Sequence, residues 1–135
     1  MPVDFHSYDG KNQLQDHCKK LIKNNHPYKT FFLFDCDAET EYEDCKKFEN
    51  EIIKTLKIPR NDSNKKVKNG IENLFNENLF EERFYDVDAR PKPDGGFKTE
   101  TKLNKGRFYE SIIERNQKQD FENFNAVFDL IKKNL

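Results

Sequence analysis

Asp35 and Asp37 stand two residues apart, directly after the unbroken apolar run Phe31, Phe32, Leu33 and Phe34. Four large apolar residues without alternation suit a strand buried on both faces, as inside a parallel sheet. Residues two apart in a strand share a side, so both carboxylates would leave its carboxyl end together. Roughly 6.6 Å of rise separates them, and at an effective dielectric of about 20 they repel by about 2.5 kcal/mol. A divalent cation held by oxygen ligands relieves that cost, and open α/β sheets hold ligands at this edge. The chemistry suggested is metal-assisted. The competing reading is a strand-end turn in which the Asp side chains cap local backbone amides.

The elements that would position this pair can be read around it. Residues 3–8 alternate weakly and stop at Asp9 and Gly10, which predicts a strand and a turn. A helix follows, capped by Asn12, with Leu14, Cys18, Leu21 and Ile22 on one stripe and Pro27 beyond its end. After the strand that ends at Asp35, the spacing of Phe48, Ile52, Ile53 and Leu56 predicts a second helix over about 41–56, which Pro59 ends. Residues 1–57 thus read as a βαβα core with a right-handed crossover and parallel neighbouring strands. Residues 58–103 hold a polar, basic loop, the motif from Gly70 to Phe75, and a hairpin with arms at 84–88 and 97–103 around a Pro/Gly turn. Two helices, 105–114 and 121–135, close the chain, the last with Phe121, Phe124, Phe128 and Ile131 on one side. There is no internal repeat.

Size and composition set the limits. The 135 residues fit one domain with one core. Charged residues make up 36% and hydrophobic ones 34%, with 13 Phe and no Trp, yet the net charge is only -1. Any face for nucleic acid must therefore be local. Cys18, Cys36 and Cys45 are odd in number and lack CxxC spacing, which suggests neither a disulfide framework nor a zinc site and fits a reducing cytoplasm. Cys36 faces away from the two aspartates, where packing is its expected role. No apolar run is long enough to cross a bilayer, so no membrane partner is expected.

Four segments in order carry a resemblance: Phe31 to Asp37, Gly70 to Phe75, Asn104 to Phe108, and Asp120 to Phe124. Together they resemble the TOPRIM domain of the OLD (overcoming lysogenization defect) nucleases. The resemblance implies a Rossmannoid α/β fold, with a central parallel sheet flanked by helices and an additional C-terminal helical pair. It implies a Mg²⁺- or Mn²⁺-dependent DNA endonuclease, coupled to an ATPase domain fused or associated upstream, with a role in phage defence and room for a homodimer. Asp35 and Asp37 then match the family's metal-holding aspartates, Glu72 a further acidic ligand, and Lys105 a basic residue near the scissile phosphate, with Asp35 and Lys105 as the catalytic pair. Phosphodiester hydrolysis suits these types, since a hard cation activates water and a lysine adds charge for the developing anion. The family's opening strand, which ends in a glutamate, has no counterpart here. The expectation is an N-terminally incomplete TOPRIM-like domain over 1–135.

Each position also has a plainer reading. Glu72 would sit at the rim of a short helix, and Lys105 on a helix surface, though lysine is slightly unfavourable at that helix end. Glu39, Glu41, Glu43 and Asp44 suit a solvated helix start, with one of them an outer-shell ligand at most. Lys65, Lys66 and Lys68, with Arg107, are candidates for a DNA backbone, against a solvated loop. Two further functions compete with the nuclease. One is a degenerate, non-catalytic TOPRIM-like module. The other is a haloacid-dehalogenase-like phosphatase, in which Asp35 would be the nucleophile; Glu39 stands where that motif has Thr or Val.

Overall fold

The computed structural model describes residues 6–8, 10–25 and 27–135. Helix α1 (Lys11–Lys23) is followed by strand β1 (Thr30–Phe34), helix α2 (Glu39–Lys46) and strand β2 (Ile53–Lys57). The two strands pair in parallel, Thr30 opposite Ile53 and Phe34 opposite Lys57. Two further bonds extend the ladder, from Thr30 N to Ile52 O and from Ile58 N to Phe34 O. Parallel strands need a long crossover, and here α2 with its return loop supplies it.

This corrects the expected helix over 41–56. The helix stops at Lys46, and the Asn50 side chain accepts hydrogen bonds from Ile52 N and Ile53 N at 2.8 and 2.7 Å, turning the chain into β2. Glu49 then takes the amide and hydroxyl of Thr55. Phe48 and Ile52, which suggested the helical stripe, are exposed, whereas Ile53 and Thr55 alternate inward as strand residues do. Among the described residues the order is therefore α-β-α-β. The expected strand over 3–8 lies mostly outside the described residues, and His6 to Tyr8 belong to no strand. Helix α1 starts at Lys11 behind Gly10, not behind an Asn12 cap.

Both faces of the small sheet are covered. On one side Phe32, Phe34 and Ile53 pack with Cys18 of α1, Ala38 and Cys45 of α2. On the other, Leu33 joins Ile58, Leu74 and Val127, the last from helix α4 (Asn125–Asn134). The pattern of four apolar residues in a row has this cause: β1 is sandwiched between helical layers although it has one hydrogen-bonded neighbour among the described residues. Among the described residues the fold is mixed α/β, with a two-stranded parallel sheet and four α-helices.

A second core is nearly all aromatic. Phe75, Phe80, Phe84 and Phe108 meet Ile112, the last two on helix α3 (Lys105–Arg115). Phe80 and Phe108 stack at 4.3 Å, and Phe75 meets Phe108 edge-on at 5.3 Å, the arrangements aromatic quadrupoles favour. Phe124 touches both cores. Residues Lys118–Phe124 form a 3₁₀ segment before α4, so the expected continuous helix over 121–135 is broken. Its buried residue is Val127, while Phe121 and Phe128 are exposed, which corrects the proposed Phe stripe.

Strands β3 (Tyr85–Pro91) and β4 (Phe97–Leu103) form the expected antiparallel hairpin. Lys92 N bonds Gly96 O across a turn in which Gly95 and Gly96 both have positive φ. Only Tyr85 and Leu103, at the base, reach the aromatic core.

A carboxylate cluster at the tip of the first strand

Asp35 follows the last residue of β1, and Ala38 N bonds its carbonyl at 3.0 Å in a tight turn into α2. The turn exposes Asp35 and Asp37 and buries Cys36 between them. The Cys36 thiol faces the carbonyls of Lys68 and Gly70 at 3.7 and 3.9 Å. Burial pushes this thiol's pKa up. Asp37 Oδ1 accepts the Gly70 amide at 3.1 Å. The tip of the strand is thereby fastened to the motif that begins at Gly70.

Gly70 has a structural reason to be glycine. Its φ of 72° lies in the left-handed region, and a Cβ there would stand 2.6 Å from Glu72 Oε2. The space over Gly70 is filled by the Glu72 carboxylate. Glu72 is 3% exposed, and burying a carboxylate requires compensation. Helix α3 provides it. Lys105 Nζ lies 3.0 Å from Glu72 Oε1, and the Tyr109 hydroxyl donates to the same oxygen at 2.9 Å. Lys105 and Tyr109 are one helical turn apart and share a face. Asn104 caps the helix through Arg107 N and, by its own amide to Phe84 O, fixes where the helix begins.

Asp35 sits among these groups. Its carboxyl pKa is raised by partial desolvation, then by the charges of Asp37 and Glu72, with Lys105 acting in the opposite direction. Tyr109 is held protonated by burial, by its bond to Glu72, and by the Glu72 and Asp35 charges. The Asp35 carboxylate itself has no hydrogen bond or ion pair among the described residues. The structure therefore brings together Asp35, Asp37, Glu72 and Lys105 from three separate segments. Tyr109 belongs to the same network and was missed in the sequence, where only its position four residues after Lys105 pointed to it.

The donor set consists of hard oxygen ligands, two of them already engaged by protein hydrogens. Among the described residues, no group of three or more His, Cys, Asp or Glu side chains is arranged to hold a metal ion. Of the three carboxylates, Asp35 is the one that no protein hydrogen engages, and it is the one on which a hydrated divalent cation would have to rest.

The remaining candidates lie elsewhere. Arg107 pairs with Asp86 and donates to Arg83 O, binding α3 to the hairpin. Lys66 Nζ donates to Phe80 O at 3.1 Å and is directed into the aromatic core's rim. Lys65, Lys66 and Lys68 are all exposed residues. Glu39 pairs with Lys57 and Asp44 with Lys47, as expected for a charged helix start. Glu41 is instead buried against Lys11 at 3.1 Å, its pKa lowered by the backbone bond at the helix start and by Lys11.

No family model, curated protein or solved structure matches this chain. No helix among the described residues is long and apolar enough to cross a membrane.

Proposed function

We propose that this chain is a TOPRIM-like nuclease domain of the OLD type, hydrolysing DNA phosphodiesters with Mg²⁺ or Mn²⁺ and working with an ATPase partner. The observation that carries the reading is the convergence at one strand tip of Asp35, Asp37, Glu72 and Lys105, residues up to 70 positions apart in the sequence. Like charges gathered without a full set of counter-charges are costly, and a phosphate-directed metal site explains why the fold maintains them. Asp35 would hold the ion, with Glu72 and Asp37 beside it. The ion, when bound, supplies charge neutralisation and a more acidic water. Lys105 pairs with Glu72 at 3.0 Å in the resting protein and offers its ammonium to a phosphate at the same tip. Tyr109 holds the Glu72 carboxylate in place.

Incubating plasmid DNA with the chain and Mn²⁺ or Mg²⁺ is the direct test. Cleavage that Asp35→Ala abolishes supports the reading; cleavage unchanged in that variant refutes it. A non-catalytic TOPRIM-like module is the second reading, favoured by the lack of a three-ligand metal cluster among the described residues. Calorimetry separates the two, because such a module would show no Mn²⁺ heat that Asp35→Ala removes.

A further inference from the structure

Beside the strand tip lies a cavity of about 120 Å³ whose walls include Arg60, Asp62, Asn64, Lys65, Lys68 and Asn73. We propose that this cavity is a phosphate-binding pocket, with Arg60, Lys65 and Lys68 as its cationic contacts. The anion chemistry stands on the pocket's own geometry. That the phosphate belongs to a nucleic-acid strand rests on the nuclease reading above.

Three cations line the cavity against one carboxylate, Asp62. The ammonium groups of Lys65 and Lys68 and the guanidinium of Arg60 form no ion pair among the described residues. Arg60 bonds only carbonyls, Lys68 O at 2.7 Å and Cys36 O at 3.4 Å. Those contacts orient the guanidinium, use two of its five N–H donors and leave its charge without a partner. Planar donors fixed in this way suit phosphate oxygens.

The loop that presents these cations has no regular secondary structure, yet it is held rigidly. Asn73, 1% exposed, accepts from Asn61 N at 2.6 Å and donates to Asn61 O and Val67 O. Asn64, 3% exposed, donates to Asn73 O and Phe75 O and accepts from Lys66 N and Val67 N. Two buried amides thus satisfy seven backbone polar groups. Polar networks of this kind in a loop fix side-chain positions before a ligand arrives, which lowers the cost of binding. The pocket is tied to the strand tip through Arg60. Arg60 touches the carbonyl between Asp35 and Asp37, and Lys68 and Asn73 flank Gly70 and Glu72. A strand with one phosphate at the acidic tip would meet these cations with a neighbouring one.

The test is an amide-resolved NMR titration of the full chain, without divalent metal, with inorganic phosphate and separately with a short single-stranded oligodeoxynucleotide. Amide shifts over residues 61–68 with both probes, lost in Lys65→Gln/Lys68→Gln, support the pocket with nucleic acid as its source. Oligonucleotide affinity in that variant should fall about tenfold, and its salt slope by about 1 per lysine. Shifts with inorganic phosphate alone support the pocket as a site for a small phosphorylated ligand. No shift with either probe, or shifts that survive the double substitution, overturn it. Asp35→Asn separates this inference from the nuclease reading: it should abolish cleavage and leave the phosphate shifts intact.

Discussion

Gly70 is the residue on which the carboxylate cluster depends most directly. Its amide holds Asp37, its left-handed φ starts the turn, and its missing Cβ makes room for Glu72. Gly70→Ala combines a disfavoured backbone region with a collision at the Glu72 carboxylate. We expect a loss of about 1–3 kcal/mol, read as a lower urea midpoint, together with weaker Mn²⁺ binding. An unchanged midpoint would mean that the cradle is not as described. The sequence singled out Asp35, Asp37, Glu72 and Lys105 as candidates but not Tyr109. A tyrosine on an amphipathic helix looks the same whether it packs or donates, and only the facing carboxylate decides.

At the scale of elements, the loop between β2 and the Gly70 motif behaves as a structured unit. Asn64→Ala removes four hydrogen bonds and leaves buried backbone groups unsatisfied. A cost of about 2–4 kcal/mol is expected, with faster hydrogen exchange at Lys66 and Val67 than in the unsubstituted chain. The β3–β4 hairpin is the opposite case. By strand alternation Val87, Ala89, Phe97 and Thr99 share one face and Asp86, Asp88, Arg90, Lys98, Glu100 and Lys102 the other. Neither face is covered beyond the base: Val87 is 63% and Phe97 71% exposed. A two-stranded hairpin with little packing is marginal, so limited trypsin digestion should cut first after Lys98, since Pro91 and Pro93 block cleavage after Arg90 and Lys92. Initial cleavage within α3 instead would contradict this. The hairpin was legible from its turn residues, whereas β2 was not. Phe48, Ile52, Ile53 and Leu56 satisfy a helical period by coincidence, and the Asn50 turn that overrides it depends on the strand waiting beside it.

For the molecule as a whole, global stability couples to the thiols that join α1 and α2. Cys18 is fully buried, and its pKa is pushed from an ordinary 9.0 to about 12 by burial first and then by Cys45. Cys45 is raised as well, again chiefly by burial. A raised acid pKa means that the folded chain keeps protons the unfolded chain releases. Stability from this source is therefore complete below pH 9 and lost as pH rises toward 12. The slope is about 1.4 kcal/mol per pH unit for each such thiol. Denaturation midpoints measured across that window should fall, and Cys18→Ala should flatten the decline; an equally steep decline in the variant would rule out the thiol as its cause.

Read alone, the sequence determined the local events. It marked the buried strand and its two terminal aspartates, the hairpin with its glycine turn, the start of α3 and the absence of zinc or disulfide spacing. Such features follow from side-chain period, φ preference and residue chemistry within a few positions. Tertiary structure decided which apolar residues turn inward, that residues 53–57 are a strand, and that Lys66 and Arg107 are tied to protein groups. It also decided that the Glu72 carboxylate is buried between Gly70 and Tyr109. These outcomes are set by partners distant in the chain, since burial and charge pairing depend on what packs opposite, and a linear pattern does not specify that.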